Sequence, residues 1–247
     1  MSSNTPFIFG LHAVEALLKN QPDRILRLAV FTDRQDKKIE AILRTARTQN
    51  IAVGQASKQE LDKMTESANH QGIVAFCKKA RAYSEADLNE LLGNLNVPPF
   101  VLVLDGVTDP HNLGACLRSA DAAGVHAVII PKDRAAGITP VVSKVASGAA
   151  ETIPLVQVTN LARALEILKE MGIWIYGAAG EATDSVYSTK LTGAIAIVMG
   201  AEGEGLRRLT RDTCDVLLKI PMQGTVSSLN VSVATGVLLF EVVRQRQ

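Results

Sequence analysis

Polar side chains and glycines crowd three places where an apolar, strand-like run ends. The three segments are Leu104–Gly124, Ile197–Leu206 and Ile220–Gly236. In open parallel sheets, ligands bind just beyond the carboxyl ends of the strands. We therefore expect the chain to bind a ligand and to carry out chemistry in these segments, and each of them offers a different kind of group.

The first segment, LDGVTDPHNLGACLRSADAAG, carries Asn112 and Arg118. Asparagine is a favoured residue just before a helix, so the spacing alone favours a structural cap for Asn112. Arg118 lies among Leu117, Ala120 and Ala122 on a helix that is expected to pack against a sheet. An arginine in such surroundings needs a partner, which is either a carboxylate or an RNA phosphate.

The second segment, IVMGAEGEGL, has three glycines within six residues after a buried strand. Glycines let the backbone approach a ligand closely, but their spacing here differs from the G-x-G-x-x-G pattern of dinucleotide-binding proteins. Glu202 and Glu204 would repel a pyrophosphate, which argues against NAD and for a ligand that carries positive charge. A sulfonium is such a ligand.

The third segment, IPMQGTVSSLNVSVATG, joins a short strand to the last helix. Ser227, Ser228 and Asn230 cluster at the start of this helix, where backbone N–H groups have no partner within the helix. One cap requires one such residue, so three of them indicate a further role. The helix continues through almost only apolar residues, which predicts burial on most sides and an interface, most simply that of a dimer.

The elements that position these segments fall into two groups. Residues 1–78 alternate helical and strand-like patterns and predict a small α/β unit. Residues 79–99 contain a basic run and Pro98–Pro99, which cannot continue a helix, so we place a linker here. Over 100–247, apolar strands alternate with helices, which predicts a parallel sheet with right-handed crossovers. Its predicted helices include Asn112–Ala123, Thr139–Ala149 and Ser228–Arg246.

Composition limits the class of protein. The chain has 247 residues, of which 47% are hydrophobic and 4% aromatic, and this suits an aliphatic core around buried strands. No apolar run approaches the roughly 18 residues that span a bilayer, and the N-terminus lacks the pattern of a secretory signal. Three widely spaced cysteines predict neither a disulfide framework nor a zinc site. We expect a cytoplasmic protein with no membrane segment and no metal.

Charge is distributed unevenly along the chain. Residues 1–80 carry 12 Lys and Arg against 8 Asp and Glu, whereas residues 81–247 carry 14 against 17. Such an asymmetry favours contact between the basic part and a polyanion. The solvated faces of surface helices explain the same charges equally well.

In this order and at strand ends, the three segments resemble the signature motifs of the SpoU (TrmH-like) family in the SPOUT superfamily of RNA methyltransferases. The matching stretches are DPHNLGACLRSADAAG, IVMGAEGEGL and IPMQGTVSSLNVSVATG. FIFGLHAVEALL and NHQGIVAF resemble the small ribosomal-protein-like (L30e-like) RNA-binding domain that precedes the catalytic domain in several members. With that domain, the chain is most similar to members that methylate a guanosine ribose in 23S ribosomal RNA.

The resemblance implies a fold that the hydrophobic pattern does not predict. Instead of an ordinary doubly wound sheet, residues 100–247 would form a SPOUT domain with a deep trefoil knot, in which the C-terminal helix is tucked through a loop. Knots are rare in proteins. Residues 1–78 would form the L30e-like domain. The family also implies a homodimer whose active site is completed across subunits.

The resemblance further implies a methyl donor, S-adenosylmethionine, that binds in the knot. The residues expected to line its pocket are Gly200, Ile220, Met222 and Leu229. The catalytic residues carried over from the motifs are Asn112, Arg118, Glu202, Ser228 and Asn230.

The implied reaction divides the work between these residues. A ribose 2′-hydroxyl is a poor nucleophile, so the enzyme must position it against the sulfonium and help to remove one proton. The resemblance implies two alternative roles for Arg118. It is either the base, although a free guanidinium is a very weak base, or a clamp on the target phosphate that lowers the pKa of the hydroxyl. Asn112, Ser228 and Asn230 would orient Arg118, the ribose and the third segment. Glu202 would hold Arg118 or Asn112.

Two alternatives remain open at this stage. One is transfer RNA in place of ribosomal RNA as the substrate; if the substrate is ribosomal RNA, it is either naked 23S RNA or a ribosomal precursor. The other is a non-catalytic RNA-binding protein of the same fold. A nicotinamide-dependent enzyme is disfavoured because the dinucleotide fingerprint is missing and the second segment is acidic.

Overall fold

A computed structural model describes residues 5–31, 37–133 and 135–247. Its strands, in chain order, are β1 (Phe7–Phe9), β2 (Ile25–Val30), β3 (Val53–Gln55), β4 (Ile73–Cys77), β5 (Phe100–Asp105), β6 (Ala127–Pro131), β7 (Leu155–Val158), β8 (Trp174–Ala178), β9 (Asp184–Ser185), β10 (Ile195–Gly200) and β11 (Val216–Lys219). Its α-helices are α1 (Leu11–Asn20), α2 (Lys37–Thr48), α3 (Lys58–Met64), α4 (Leu88–Gly93), α5 (Pro110–Ala122), α6 (Pro140–Val145), α7 (Leu161–Glu170), α8 (Arg208–Thr213) and α9 (Val231–Arg246).

Contacts divide the chain into two compact units. The first comprises Met1–Arg81 together with Ile138–Thr152, and the second comprises Ala82–Gly137 together with Ile153–Gln247. Helix α6 therefore belongs to the first unit, although in chain order it follows two strands and two α-helices of the second.

The first unit is built on a four-stranded sheet in the order β1-β4-β2-β3. Strand β4 runs antiparallel to β1 and β2, whereas β3 is parallel to β2. Helices α1 and α2 bury the apolar stripes around Leu17 and Ile42 against one face of the sheet, as the helical period of their apolar residues requires. Helix α3 begins at a capping box in which Ser57 and Glu60 exchange hydrogen bonds.

The second unit contains the sheet that positions the three polar segments. Its seven strands run in the order β7-β6-β5-β10-β8-β11-β9, and all their pairings are parallel, as the alternation of strands and helices predicts. The central strands are buried along Phe100–Asp105 in β5 and along Ile195–Met199 in β10, because helices cover both faces of a parallel sheet. The centre of the sheet is thus a rigid base for the loops that follow β5 and β10.

Two of the predicted helix starts are wrong. Helix α5 begins at Pro110, and its cap is Asp109, whose carboxylate accepts hydrogen bonds from the N–H groups of His111 and Asn112. Proline fits the first position of a helix because its φ is fixed there, so Asp109–Pro110 outcompetes Asn112 as the starting point. The last helix begins at Val231 rather than at Ser228, after the cap Asn230.

The predicted helix Thr139–Ala149 is also too long. Helix α6 ends at Val145, and Ser147 and Gly148 then adopt positive φ angles of 53° and 101°. A left-handed conformation ends a helix, so only a short 3-10 turn at Ala149–Glu151 follows.

Helix α9 is buried on fewer sides than its composition predicts. It packs against α5 and β10 and buries Leu238 and Leu239 there. Val233 and Phe240 remain 52% and 48% exposed. The prediction of burial on most sides is therefore wrong for the single chain, and an apolar strip of α9 faces outward.

Within residues 5–31, 37–133 and 135–247, no helix is both long and apolar enough to cross a membrane. In the same part of the chain, no group of three His, Cys, Asp or Glu side chains is arranged to bind a metal ion.

Candidate functional site

The ends of β5 and β10 bring the first two polar segments together. The strands pair in parallel up to their last residues, so Leu104 lies beside Met199 and Asp105 lies beside Gly200. Because neighbouring parallel strands end at the same edge of a sheet, their loops leave it side by side. The third segment reaches the same edge through the loop between β11 and α9.

A cavity of about 650 Å³ lies at this edge. Its walls are formed by the loops after β8, β10 and β11, together with the first turns of α9. The four residues predicted to contact the methyl donor all line it: Gly200, Ile220, Met222 and Leu229. The volume falls within the range of roughly 300–1,000 Å³ that small-molecule sites occupy.

Gly200 has a steric role in shaping this cavity. The loop after β10 folds back, and Ala201 and Gly205 exchange backbone hydrogen bonds of 3.1 and 3.0 Å. A Cβ atom on Gly200 would lie 2.1 Å from the carbonyl carbon of Gly205 and 2.4 Å from the nitrogen of Leu206. Only glycine allows this close approach of two backbone segments.

Asn230 joins the three polar segments through its side-chain amide. Its Nδ2 donates to Oδ1 of Asn112 at 3.0 Å and to Oε1 of Glu202 at 2.6 Å. Its Oδ1 accepts from the backbone N–H and the hydroxyl of Ser232, at 2.9 and 2.6 Å. Both amide hydrogens and the amide oxygen are therefore engaged, which fixes the orientation of this side chain. Glu202 thus reaches Asn112 through Asn230 rather than directly.

Arg118 is not part of this cluster within the single chain. Its neighbours Leu117 and Ala120 are fully buried, whereas Arg118 itself is exposed, because successive residues of a helix point about 100° apart. Among the residues that the structure describes, none forms a hydrogen bond or ion pair with the Arg118 guanidinium. Of the two predicted partners of Arg118, the carboxylate is therefore not found among the described residues, and the RNA phosphate stays a prediction.

Ser228 borders the 650 Å³ cavity. It is exposed, and no described side chain or backbone group is hydrogen-bonded to its hydroxyl. The structure therefore brings Asn112, Glu202 and Asn230 into direct contact, places Ser228 beside them, and leaves Arg118 apart.

The sequence pattern did not reveal a buried ion pair between Asp105 and Arg207. The carboxylate of Asp105 is fully buried at the end of β5, where it accepts hydrogen bonds from the backbone N–H of Arg207 at 3.1 Å and from its guanidinium Nε at 2.5 Å. This pair ties the loop after β5 to the loop after β10. A carboxylate inside an apolar strand was the available signal, because a buried charge requires a partner.

A second missed pair lies at the rim of the cavity. Glu181 and Arg211 form an ion pair there, and both residues line the cavity. No spacing in the sequence marks these two residues.

Cys116 lies on the buried side of α5 and contacts α9. Its sulfur lies 3.5 Å from the hydroxyl of the buried Thr235. Burial raises the pKa of the Cys116 thiol to about 11, so the thiol is uncharged at neutral pH and is unsuited to act as a nucleophile.

The fold and the site define the class of protein. The chain belongs to the SpoU rRNA Methylase family, whose model matches residues 99–240. A second family model, described as RNA 2′-O ribose methyltransferase substrate binding, matches residues 7–83.

Within this family, the chain is similar to several enzymes that methylate ribosomal RNA. The chain is 59% identical over 239 residues to the 23S rRNA (guanosine-2′-O-)-methyltransferase RlmB of Pectobacterium atrosepticum. The match covers 97% of this chain and 98% of that enzyme. It is 56% identical over 239 residues to the enzyme of the same name from Escherichia coli K12, with 97% and 98% of the two chains covered. It also shares the fold of the SpoU methyltransferase AviRb from Streptomyces viridochromogenes, solved in complex with the cofactor AdoMet. The TM-score is 0.79 at 23% identity, over 97% of this chain and 89% of that one.

Proposed function

We propose that this protein transfers a methyl group from S-adenosylmethionine to the ribose 2′-hydroxyl of a guanosine in 23S ribosomal RNA. The observation that carries the proposal is the contact of Asn230 with both Asn112 and Glu202 at the wall of the 650 Å³ cavity. Each of the three residues comes from a different signature segment. The relation to methyltransferases that act on a 23S guanosine supports the choice of substrate.

The 650 Å³ cavity suits the methyl donor. Gly200, Ile220, Met222 and Leu229 offer backbone and apolar contacts for the adenosine and methionine portions. The carboxylates of Glu202 and Glu204 at the same wall favour a cation, and the donor carries a sulfonium charge. The charge disappears when the methyl group leaves, because the sulfonium then becomes a neutral thioether.

The Asn112–Glu202–Asn230 cluster suits the positioning of the acceptor. In the transfer, the carbon–sulfur bond breaks, a carbon–oxygen bond to the ribose forms, and the hydroxyl proton must leave. Amide and hydroxyl groups held in a fixed orientation can align the 2′-oxygen with the methyl group, and such alignment is a large part of catalysis in group transfer. Ser228 offers a free hydroxyl next to the same cavity.

The proposal includes a homodimer whose active site is completed across subunits. Two observations support it: Arg118 is exposed without a partner among the described residues, and Val233 and Phe240 form an exposed apolar strip on α9. In the dimer, Arg118 would bind a phosphate of the RNA next to the target ribose, since guanidinium groups bind phosphate through paired hydrogen bonds.

The chain would consist of two domains joined by a linker. Residues 1–78 would be an L30e-like domain that binds RNA, residues 79–99 a linker, and residues 100–247 a SPOUT domain with a trefoil knot. The substrate is naked 23S ribosomal RNA or a ribosomal precursor, and the protein acts in the cytoplasm. The names of the relatives favour ribosomal over transfer RNA.

A methyl-transfer assay tests the proposal. The purified chain is incubated with radiolabelled S-adenosylmethionine and 23S ribosomal RNA from a strain that lacks the corresponding gene, and the labelled ribose is then mapped. We expect label on one guanosine, and little label on RNA from the parent strain, where that ribose is already methylated. Label in transfer RNA, or none in naked RNA and ribosomal precursors alike, would contradict the proposal.

A further inference from the structure

A second cavity, of about 550 Å³, adjoins the one assigned to the methyl donor. Its walls come from the loop Gly106–Asp109, from Asn112 and from the loop after β10. Ala201, Glu202, Glu204, Gly205 and Val231 line both cavities. The two spaces are therefore neighbours that share one wall.

The shared wall carries the polar cluster. Asn112 lines the second cavity, Asn230 lines the first, and Glu202 lines both. The hydrogen bond from Asn230 to Asn112 thus passes from one cavity to the other. A ribose whose 2′-hydroxyl faces the donor at this wall has its base attached to the adjacent carbon, so the base must occupy the neighbouring space. The second cavity is that space.

The second cavity is held in shape by its own contacts. The buried Asp105 binds both the backbone and the guanidinium of Arg207 and so links the two loops that form it. The oxygens of Asp109 are occupied at the start of α5. Asp105 is fully buried, and each oxygen of Asp109 already accepts a backbone hydrogen bond, so both carboxylates are engaged within the protein.

Glu204 differs from these two residues. Its carboxylate is exposed at the wall of the cavity, and within the described part of the chain it has no hydrogen-bond or ion-pair partner. A carboxylate accepts hydrogen bonds through two oxygens side by side. The two carboxylate oxygens of Glu204 can therefore accept hydrogen bonds from a ligand.

We propose that the 550 Å³ cavity receives the base of the acceptor nucleotide and that Glu204 selects guanine there. This inference rests on the proposed function. Guanine has two adjacent donors, N1–H and an N2–H of its amino group, which match the two carboxylate oxygens. In adenine and cytosine a donor stands beside an acceptor nitrogen, and in uracil the single N–H lies between two carbonyl oxygens. Only guanine forms the paired contact.

The test compares guanosine with inosine at the mapped position. Inosine differs from guanosine only by lacking the amino group. Two 23S ribosomal RNA molecules are assembled by ligation with either nucleotide at that site, and kcat/KM is measured for the wild type and for Glu204→Gln. For the wild type we expect inosine to lower kcat/KM about 10-fold or more, as for the loss of one half of a paired base contact.

In Glu204→Gln we expect kcat/KM on guanosine-containing RNA to fall about 10-fold or more. The ratio of kcat/KM on guanosine-containing RNA to kcat/KM on inosine-containing RNA should then approach one. The matched control is Asp212→Asn, which removes an exposed carboxylate on α8 that lines neither cavity. For Asp212→Asn, the guanosine-to-inosine ratio of kcat/KM should equal that of the wild type. Because Glu204 also lines the donor cavity, Glu204→Gln should weaken the binding of S-adenosylmethionine as well. That effect is the same for guanosine and inosine, so it leaves the ratio of their kcat/KM values unchanged.

The outcomes separate this inference from the proposed function. An active wild type with the same guanosine-to-inosine ratio in Glu204→Gln would overturn the role of Glu204 and leave methyl transfer intact. A wild type that methylates no form of 23S ribosomal RNA would overturn the proposed function itself.

Discussion

The amide nitrogen of Asn230 lies 2.6 Å from a carboxylate oxygen of Glu202, and it donates its second hydrogen to Asn112. Residues 118 positions apart along the chain are thereby joined at one point. Asn230 also caps α9 through its oxygen. One side chain thus connects the start of the last helix to the loops that follow β5 and β10.

Asn230→Asp separates these two roles. Aspartate caps a helix as well as asparagine does, but it lacks the amide hydrogens and brings a second negative charge against Glu202. We expect kcat for methyl transfer to fall about 100-fold, which is the usual effect of a misplaced catalytic group, while Tm changes little. Steady-state kinetics and thermal unfolding measure the two quantities.

Asn160→Asp is the matched control for this substitution. Asn160 caps α7 in the same way, with its side-chain oxygen accepting from the backbone N–H of Arg163 at 3.1 Å. Its aspartate variant should have wild-type kcat. An Asn230→Asp protein with near-normal kcat would contradict a positioning role for the Asn230 amide.

Gly200→Ala should block donor binding. The new Cβ would lie 2.1 Å from the carbonyl carbon of Gly205, so the loop that forms one wall of the 650 Å³ cavity must move. We expect the dissociation constant of S-adenosylmethionine to rise at least about 10-fold and the free energy of unfolding to fall by about 1–3 kcal/mol, as for other overpacked sites. Isothermal titration calorimetry and denaturant unfolding report these changes.

Gly224→Ala provides the comparison for the glycine substitution. A Cβ on Gly224 meets no atom within 4 Å, so alanine there should alter neither donor binding nor stability appreciably. Equal donor affinity in Gly200→Ala and Gly224→Ala would refute the steric argument.

Glu241 should make stability depend on pH in the acid range. Hydrogen bonds from Arg244 and then from Gln245 hold the pKa of this carboxyl at about 2, below its ordinary value of 4.5. A depressed pKa means that the contribution of Glu241 is present above pH 4.5 and is lost as the pH falls towards 2. Glu241→Gln should therefore show a smaller loss of stability between these pH values.

Denaturant unfolding at a series of pH values measures this effect. The exposed Glu170, replaced by Gln, serves as the reference. If Glu241→Gln and Glu170→Gln lost stability in parallel from pH 4.5 to pH 2, the hydrogen bonds around Glu241 would not be the cause.

The sequence predicts the sheet better than it predicts the starts of helices. Apolar runs such as Phe100–Asp105 mark strands that are buried on both faces, and the helices between them require parallel pairing. Helix starts depend on competition between nearby caps, and Asp109 stands only three residues before Asn112. Both residues are good caps, so the pattern alone did not decide between them.

The contacts within the candidate site could not be predicted from the sequence pattern. Residue types and spacing pointed to Asn112, Glu202 and Asn230, but no periodicity could pair an amide with a carboxylate 28 residues away. That contact follows from the order of β5 and β10 in the sheet. The outward direction of Arg118 was, by contrast, readable from the helical period, since Leu117 and Ala120 occupy the buried face.

Arg118→Ala should abolish methyl transfer and leave donor binding nearly intact. The Arg118 side chain is exposed, and the described residues include no partner for it, so its removal should change Tm by less than about 2 °C, as for ordinary surface substitutions. Substantial turnover by this variant would contradict its role at the target phosphate.

Mixed dimers decide whether Arg118 acts across subunits. Arg118→Ala and Asn230→Asp chains with different affinity tags are co-expressed, and the heterodimer is isolated by two successive purifications. If each site combines Asn230 of one subunit with Arg118 from the other, one of the two sites is intact, and the heterodimer should have about half of the wild-type activity. If both residues act within one chain, no site is intact and the heterodimer should be as inactive as either parent. A monomeric wild type in light scattering would contradict the dimer from the start.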